Sequence, residues 1–369
     1  MTTPHPQKEL TPNLFASVMG TGIIANAAAG LPYFAPQLTV FAQVVWVIAA
    51  TLLCVLVVLE IVQIFARADV VKKHFNDPVM AQFFGAPPMA LLTIGGGFLL
   101  VGKDLIGFDI SLTAAWVLWL SGTTLGLITA LMIPFLLFTR HTVGDEGAFG
   151  GWLMPVVPPM VSAAIGALLV PHLEGTEAQQ VLLYSCYAMF GISFVCALII
   201  ITLIWSRLAH RGTSGSARVP TLWIILGPLG QSITAAGLLG HASVGVVAPE
   251  ISSAMLAMTI VFSIPVWGFA MFWLMLALLL TYNAYRQNMP FALTWWAFTF
   301  PVGTCVTGTT QLAHSTGLFV FDYAAIMLFA LLLATWALAA QGTLKGALAG
   351  HIFHPPKKSK VVVHKNHGK

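Results

Sequence analysis

The stretch Thr294-Trp295-Trp296-Ala297-Phe298-Thr299-Phe300-Pro301 places bulky aromatic side chains directly before a proline, inside an apolar segment. An aromatic side chain halfway across a membrane could close a pore. A proline within a helix releases backbone carbonyl groups, which water or neighbouring protein groups must then satisfy. Hydroxyl and carboxamide side chains recur in other apolar segments of the chain and could offer hydrogen bonds to a solute. The chemistry that this pattern indicates is passage through a membrane.

The composition limits the fold class. Apolar residues make up 58% of the 369 positions and charged residues only 8%, whereas soluble domains have about a quarter charged residues. Apolar runs long enough to cross a bilayer of about 30 Å recur from end to end. We therefore expect an all-α polytopic membrane protein without a soluble domain. The N-terminal residues 1–12 are polar and lack a cleavable signal pattern.

Charge placement predicts the topology. Every Lys and Arg except Lys103 falls on the same side as the N-terminus when ten spans are assumed. The positive-inside rule then places both termini in the cytoplasm, with a cytoplasmic segment 1–12, a transmembrane domain 13–342 and a basic tail 343–369. The predicted spans lie near 13–30, 38–66, 80–101, 111–138, 152–171, 181–206, 221–240, 252–282, 291–311 and 322–342.

Alternate spans differ in kind, which indicates an internal repeat. The even spans are mostly longer and rich in Leu, Val, Ile and Trp, whereas the odd spans contain Gly, Ala, Ser, Thr and Pro. Small residues let helices approach closely, so five hairpins could close into a ring with the odd helices inside. The odd spans also end alike, with a small residue, apolar residues and then a polar one, at Gly20–Asn26, Gly95–Lys103, Gly166–His172, Gly237–His241 and Thr310–His314.

Four segments resemble a known family along nearly the whole chain. They are Phe15-Ala-Ser-Val-Met-Gly-Thr-Gly-Ile-Ile, Trp152-Leu-Met-Pro-Val-Val-Pro-Pro-Met-Val, Gly227-Pro-Leu-Gly-Gln and Trp295-Trp-Ala-Phe-Thr-Phe-Pro. On these the chain is identified as a member of the tellurite-resistance/dicarboxylate transporter (TDT) family, which includes bacterial tellurite-resistance proteins, fungal malate permeases, fungal sulfite pumps and plant slow anion channels. The Trp152 segment is more similar to the malate and sulfite branch.

The resemblance implies a fold and a gate. It implies ten helices in five hairpins with pseudo-five-fold symmetry around a central pore, a homotrimer, and a phenylalanine of the ninth helix that occludes the pore. Phe298 and Phe300 lie about 200° apart on a helix, so only one can face the axis. We predict Phe300, next to the proline and near the midplane, and keep Phe298 as the alternative.

An anion in such a pore would meet no fixed central charge, because no Lys or Arg lies in mid-span. Weak, distributed binding suits conduction, although a helical hydroxyl commonly bonds its own helix carbonyl instead. The predicted lining of the anion path is Ser17, Gly20, Thr21, Gly22, Pro158, Pro159, Ser162, Gln231, Ser232, Thr234, Thr304 and Thr307.

Four titratable residues end the odd spans on the predicted outer side: Lys103, His172, His241 and His314. In a ring they would surround the outer mouth. Histidine gains charge near physiological pH, so outer acidification could favour anion entry or proton-coupled movement. The alternative is that the histidines face water separately.

The functional expectation is a transporter or channel of a cell (plasma) membrane, not an enzyme, for small anions such as dicarboxylate, sulfite and chloride. C4-dicarboxylates (malate or succinate) are the first expectation, and efflux of sulfite or other inorganic anions, or a tellurite-resistance-type channel, is the alternative. A membrane redox enzyme would need histidine pairs within the bilayer, and the histidines lie at span ends or in loops. No cofactor, metal or nucleic-acid partner is expected; the bilayer is the other partner.

Overall fold

A computed structural model describes residues 9–33, 35–144, 146–213 and 215–350. This part of the chain is helical and contains no β-strand. The first eight residues of the predicted N-terminal segment, and the tail from residue 351 onward, lie outside the described residues. The α-helices are α1 (Phe15–Gly30), α2 (Ala35–Ala66), α3 (Ala68–Asn76), α4 (Ala86–Gly97), α5 (Lys103–Ile106), α6 (Phe108–Thr139), α7 (Pro158–Leu169), α8 (Thr176–Arg211), α9 (Leu226–Ala242), α10 (Pro249–Arg286), α11 (Phe300–Thr316) and α12 (Phe319–Leu348).

Five of these helices form an inner layer. Helix α1 packs against α4 and α11, α7 packs against α4 and α9, and α9 packs against α11, so the contacts make a closed circuit. Almost every residue of these inner helices is buried. The inner helices are rich in Gly, Ala, Ser and Thr, which permits this close packing of backbones.

The five longest helices form the outer layer: α2, α6, α8, α10 and α12. Each contacts two inner helices and exposes many large apolar side chains on its other face. Four of them donate an indole N–H to the next inner helix around the circuit, which for α2, α6 and α10 is the one that follows in the chain and for α12 is α1. These bonds are Trp46 Nε1 to Ile94 O (3.3 Å), Trp119 Nε1 to Ser162 O (2.9 Å), Trp267 Nε1 to Thr309 Oγ1 (3.0 Å) and Trp336 Nε1 to Thr21 Oγ1 (3.0 Å).

Every inner helix is preceded by a short 3₁₀ segment. These segments are Pro12–Leu14, Met80–Gly85, Gly150–Leu153, Ser216–Ile225 and Leu293–Phe298. Proline occurs in or at the start of each odd span, and the structure places most of these prolines in the first turn of the α-helix. A proline there sacrifices no hydrogen bond, because the first N–H groups of a helix have no intrahelical partner. The change of geometry therefore occurs where the 3₁₀ segment meets the α-helix.

Seven helical stretches in the described residues are apolar and long enough to cross a membrane. They comprise the five outer helices, Met80–Ile106 and Ser216–Ala242. The chain is thus a polytopic helical membrane protein. The remaining inner helices α1, α7 and α11 have 16, 12 and 17 residues and fall short of that length as single helices. The count of ten spans stays a prediction.

Candidate functional site

The N-terminal ends of the inner helices enclose a small cavity of about 30 Å³. Each inner helix, or the segment before it, contributes to its wall, so the cavity lies on the axis of the circuit. None of its described lining residues is charged, and only Asn13, Thr221 and Thr294 are polar. We call this cavity the apolar chamber. Its large apolar side chains are Met19, Phe83, Met89, Met154, Trp296 and Phe300.

The two candidate gate residues occupy different surroundings. Phe300 is the first residue of α11, is 5% exposed and lines the apolar chamber. Phe298 does not line it and packs edge-on against Trp223 and Trp295, with ring centroids 5.0 and 5.8 Å away. Of the two rings, Phe300 is the one that lines the apolar chamber, while Phe298 packs against two tryptophan rings.

A second cavity of about 100 Å³ lies farther along the same axis. It shares no lining residue with the apolar chamber, and it too is lined from all five inner segments. Its described lining contains no charged residue. We call this cavity the polar chamber. Its polar lining residues are Asn26, Gln231, Thr234, Thr307, Thr310 and Gln311.

The threonine hydroxyls of the polar chamber are already engaged. Thr310 donates to Val306 O at 3.0 Å, while the Thr234 and Thr307 hydroxyl oxygens lie 2.7 Å apart. Thr234 Oγ1 also lies 3.1 Å from Gly230 O, and Thr307 Oγ1 lies 3.1 Å from Thr304 O. A hydroxyl has only one proton to donate, so these side chains offer mainly lone pairs to the cavity.

The carboxamides provide the uncommitted groups of the polar chamber. Gln231 is 4% exposed, and neither it nor the half-buried Gln311 makes a side-chain hydrogen bond with another described residue. Asn26 Nδ2 donates to Thr93 O at 3.0 Å, whereas Asn26 Oδ1 is buried without a partner. Each free carboxamide offers two N–H donors and one acceptor oxygen.

The other predicted lining residues lie away from both chambers. Three hydroxyls bond helix carbonyls: Ser17 to Leu14 O (2.6 Å), Ser232 to Leu229 O (2.8 Å) and Thr304 to Pro301 O (2.7 Å). Two others accept hydrogen bonds from outer helices: Thr21 from Trp336 Nε1 (3.0 Å) and Ser162 from Thr123 Oγ1 (3.0 Å).

The predicted glycines and prolines serve helix contacts. A Cβ at Gly20 would meet Thr299, and one at Gly22 would lie 3.0 Å from the Thr93 methyl group. Pro158 packs on Gly126 of α6, and Pro159 is buried in the first turn of α7. Among the predicted path residues, Phe300, Gln231, Thr234 and Thr307 are the ones that line a chamber.

The predicted outer-mouth residues are all exposed and lie where inner helices end, on the side of the polar chamber. Lys103 begins α5, and His172 packs edge-on against Phe108, with ring centroids 5.2 Å apart. His241 Nδ1 lies 2.7 Å from Gly237 O in its own helix, and His314 is in the last turn of α11. Exposed positions at successive helix ends are compatible with a rim, and the rim itself stays a prediction.

Sequence reasoning missed three polar residues of the chamber: Asn26, Thr310 and Gln311. Asn26 and Gln311 carry a signal that could have identified them. A carboxamide inside an apolar helix is costly to bury, and it usually faces a partner or a cavity. Thr310 resembles the many threonines that bond their own helix, so its position in the sequence gave no such signal.

An all-helical membrane protein with two uncharged chambers on one axis belongs to the class of transporters and channels. Comparison with known proteins gives the family. The voltage-dependent anion channel family, SLAC1, matches residues 9–344. The chain belongs to this family and is an anion transporter or channel. The predicted TDT membership is thereby confirmed, and membership supports a transporter in preference to an enzyme.

Relatives with assigned names span the same length. A sulfite efflux pump of Arthroderma otae is 28% identical over 93% of this chain and 92% of its own. An uncharacterised transporter of Methanocaldococcus jannaschii is 26% identical over 94% of this chain and 97% of its own. The malic acid transport protein of Schizosaccharomyces pombe is 19% identical over 95% of this chain and 81% of its own.

Proposed function

We propose that this protein moves small oxyanions across a plasma membrane through its two chambers, with sulfite as the first substrate. The observation that carries this proposal is the polar chamber: a buried cavity with uncommitted carboxamides and no charge in its described lining. Neutral N–H donors can replace part of an anion's hydration shell without trapping it. The sequence puts dicarboxylates first, but the sulfite pump is the more similar named relative. Malate is therefore the second candidate.

The path in this proposal runs through ten spans arranged as five hairpins with pseudo-five-fold symmetry. The closed circuit of inner helices and the repeated indole bond from an outer helix to the next inner helix around that circuit support it. The lengths of the inner segments also support ten spans. At about 1.5 Å per α residue and about 2 Å per 3₁₀ residue, Pro12–Gly30 reaches about 30 Å, enough for a span.

The gate in this proposal is Phe300, which closes the path at the apolar chamber. Its ring lines the chamber beside two flexible methionines, Met19 and Met89, which can rearrange when the ring moves. Phe298 does not serve as the gate, because Trp223 and Trp295 pack against its ring.

The apolar chamber faces the cytoplasm in this proposal, since nearly all basic residues lie on that side and both termini are cytoplasmic. The polar chamber then opens outward, toward Lys103, His172, His241 and His314. The homotrimer that the resemblance implies completes the proposal, and the mass of the purified complex in detergent, measured by light scattering, tests it.

Anion flux in proteoliposomes tests the proposed function. Purified protein is reconstituted, and the efflux of sulfite, malate and chloride is compared with that from protein-free vesicles at equal gradients. We expect sulfite to leave fastest. Faster malate flux would transfer the assignment to the second candidate, and equal leakage from protein-free vesicles for all three anions would refute transport of small anions.

A further inference from the structure

The polar chamber has a feature that the transport of anions in general does not require. Gln231 is 4% exposed, lines the chamber and makes no side-chain hydrogen bond with another described residue. Its amide atoms are not among the fully buried unpartnered ones, so they keep some accessible surface, and the residue lines the cavity. A buried polar group of this kind has a cost unless an occupant satisfies it.

The carboxamide of Gln231 presents two opposite groups side by side. Its N–H groups donate hydrogen bonds, and its carbonyl oxygen accepts them. A halide can use only the N–H groups, because it has no proton to give. A fully ionised oxyanion also leaves the carbonyl oxygen unmatched and places negative charge beside it. An oxyanion that keeps one O–H can satisfy both groups at once.

The lack of charge in the described lining of the polar chamber also favours a monovalent oxyanion. Its described lining contains no Lys, Arg or His, so no counter-charge offsets the loss of hydration by an entering anion. The cost of removing an ion from water rises steeply with its charge, and a dianion meets the larger penalty. A monoanion is therefore favoured over a dianion of the same acid.

We propose that Gln231 selects the singly protonated form of the substrate, a monovalent oxyanion that carries one O–H group. The Gln231 N–H groups bind the charged oxygen, and its carbonyl oxygen accepts the substrate O–H. For sulfite this species is hydrogensulfite, and for a dicarboxylate it is the hydrogen-dicarboxylate. The proposal rests on the proposed function and adds the protonation state that passes.

The test compares anions of equal charge with and without a proton to donate. Hydrogensulfite is compared with methanesulfonate and nitrate, monovalent oxyanions that lack an O–H, in proteoliposomes of the wild-type protein. We expect hydrogensulfite flux to exceed methanesulfonate flux by about tenfold, the factor that a loss of one well-made hydrogen bond gives. We also expect sulfite flux at constant total sulfite to fall as the pH rises and the dianion replaces the monoanion.

A substitution of Gln231 then tests whether this residue causes the selection of the protonated anion. Gln231→Met keeps the side-chain length without the amide. We expect it to lower the flux of both anions, because both lose the N–H donors. The ratio of hydrogensulfite flux to methanesulfonate flux should fall from about ten toward one, because only hydrogensulfite also loses the acceptor for its O–H. Ser232→Ala is the matched control, since the Ser232 hydroxyl bonds Leu229 O outside the chamber. That variant should keep the wild-type selectivity. The comparison of anion fluxes in the wild-type protein identifies the protonation state that is transported even if Gln231→Met does not fold.

The outcomes separate this inference from the proposed function. Equal fluxes of hydrogensulfite and methanesulfonate, or a sulfite flux that rises with the dianion, would overturn the selection of a protonated species while anion transport stands. Unchanged selectivity in a folded Gln231→Met protein would overturn the role of this residue. Failure of every anion to move would refute the proposed function and this inference together.

Discussion

The apolar and polar chambers share one axis and the same five helices, yet they use different chemistry. The apolar chamber is small and walled by thioether and ring side chains, whereas the polar chamber is larger and has free carboxamides. Neither has a charged residue in its described lining. The difference teaches that one ring of helices can carry an apolar level and a polar level, to which the proposed function assigns closing of the path and recognition of the anion.

Removing the ring of Phe300 should give the largest change in anion flux. We expect Phe300→Ala to raise anion flux by about tenfold or more, because a barrier reduced by about 1.4 kcal/mol already gives tenfold. The measurement is sulfite and chloride efflux from proteoliposomes at matched protein content. The rise should appear for both anions if the apolar chamber closes the path as proposed, because its lining has few polar groups that could tell one anion from another.

Phe298→Ala is the control for that experiment. Its ring packs between Trp223 and Trp295 outside both chambers, so its loss should lower the free energy of unfolding by about 3 kcal/mol without raising flux. A higher flux in Phe298→Ala, with none in Phe300→Ala, would mean that the assignment of the two rings must be exchanged.

Helices α9 and α11 pack against each other, and both of them line both chambers. A Cβ on Gly230 would lie 2.5 Å from Cys305 N and from Thr304 C, which are backbone atoms that cannot yield easily. We expect Gly230→Ala to reduce stability by about 1–3 kcal/mol through overpacking. Thermal unfolding in detergent measures it.

Gly268→Ala on the exposed face of α10 serves as the matched control. Nothing lies within 4 Å of a Cβ there, so the change should be neutral or stabilising by up to about 1 kcal/mol. Equal melting temperatures for the two alanine variants would contradict the close contact of α9 and α11.

Substitution of Gln311 in the polar chamber should change anion flux by a smaller factor. Gln311→Leu removes an uncommitted carboxamide, and we expect sulfite flux to fall by about two- to tenfold, the range that one hydrogen bond gives. Met19→Leu, a volume-conserving change in the apolar chamber, should leave flux nearly unaltered. A fall in Met19→Leu as large as in Gln311→Leu would remove the distinction between the chambers.

The smallest effect concerns the rim beyond the polar chamber. We expect about a twofold rise in chloride flux on outer acidification through His172, His241 and His314, because histidine as a residue type can gain charge near physiological pH and salt screens exposed charges. For chloride, whose own charge does not change with pH, the triple alanine variant should lose this pH dependence. If the pH response persists in the triple variant, a group other than these three histidines causes it.

How far the sequence predicts this molecule depends on the residues concerned. Apolar runs and charge placement predict a polytopic helical protein, because hydrophobic length and Lys and Arg positions carry that information directly. The spacing of Phe298 and Phe300 predicts that only one of them faces the axis. Phe300 lines the apolar chamber, and its role as the gate stays a prediction. Hydroxyls such as Ser17 and Thr21 were less predictable, because the direction of a side chain within a buried helix is set by neighbouring helices.

The apolar chamber has a consequence for water itself. Liquid water is cohesive, and a narrow space bounded by Phe300 and methionine side chains returns few of its hydrogen bonds, so the empty state is favoured there. A gap without liquid stops ions as a solid plug would, since an ion must bring its hydration along. In these terms the proposed gate opens when water fills the apolar chamber. Hydrostatic pressure, which drives water into voids, should then act in the same direction as the loss of the Phe300 ring.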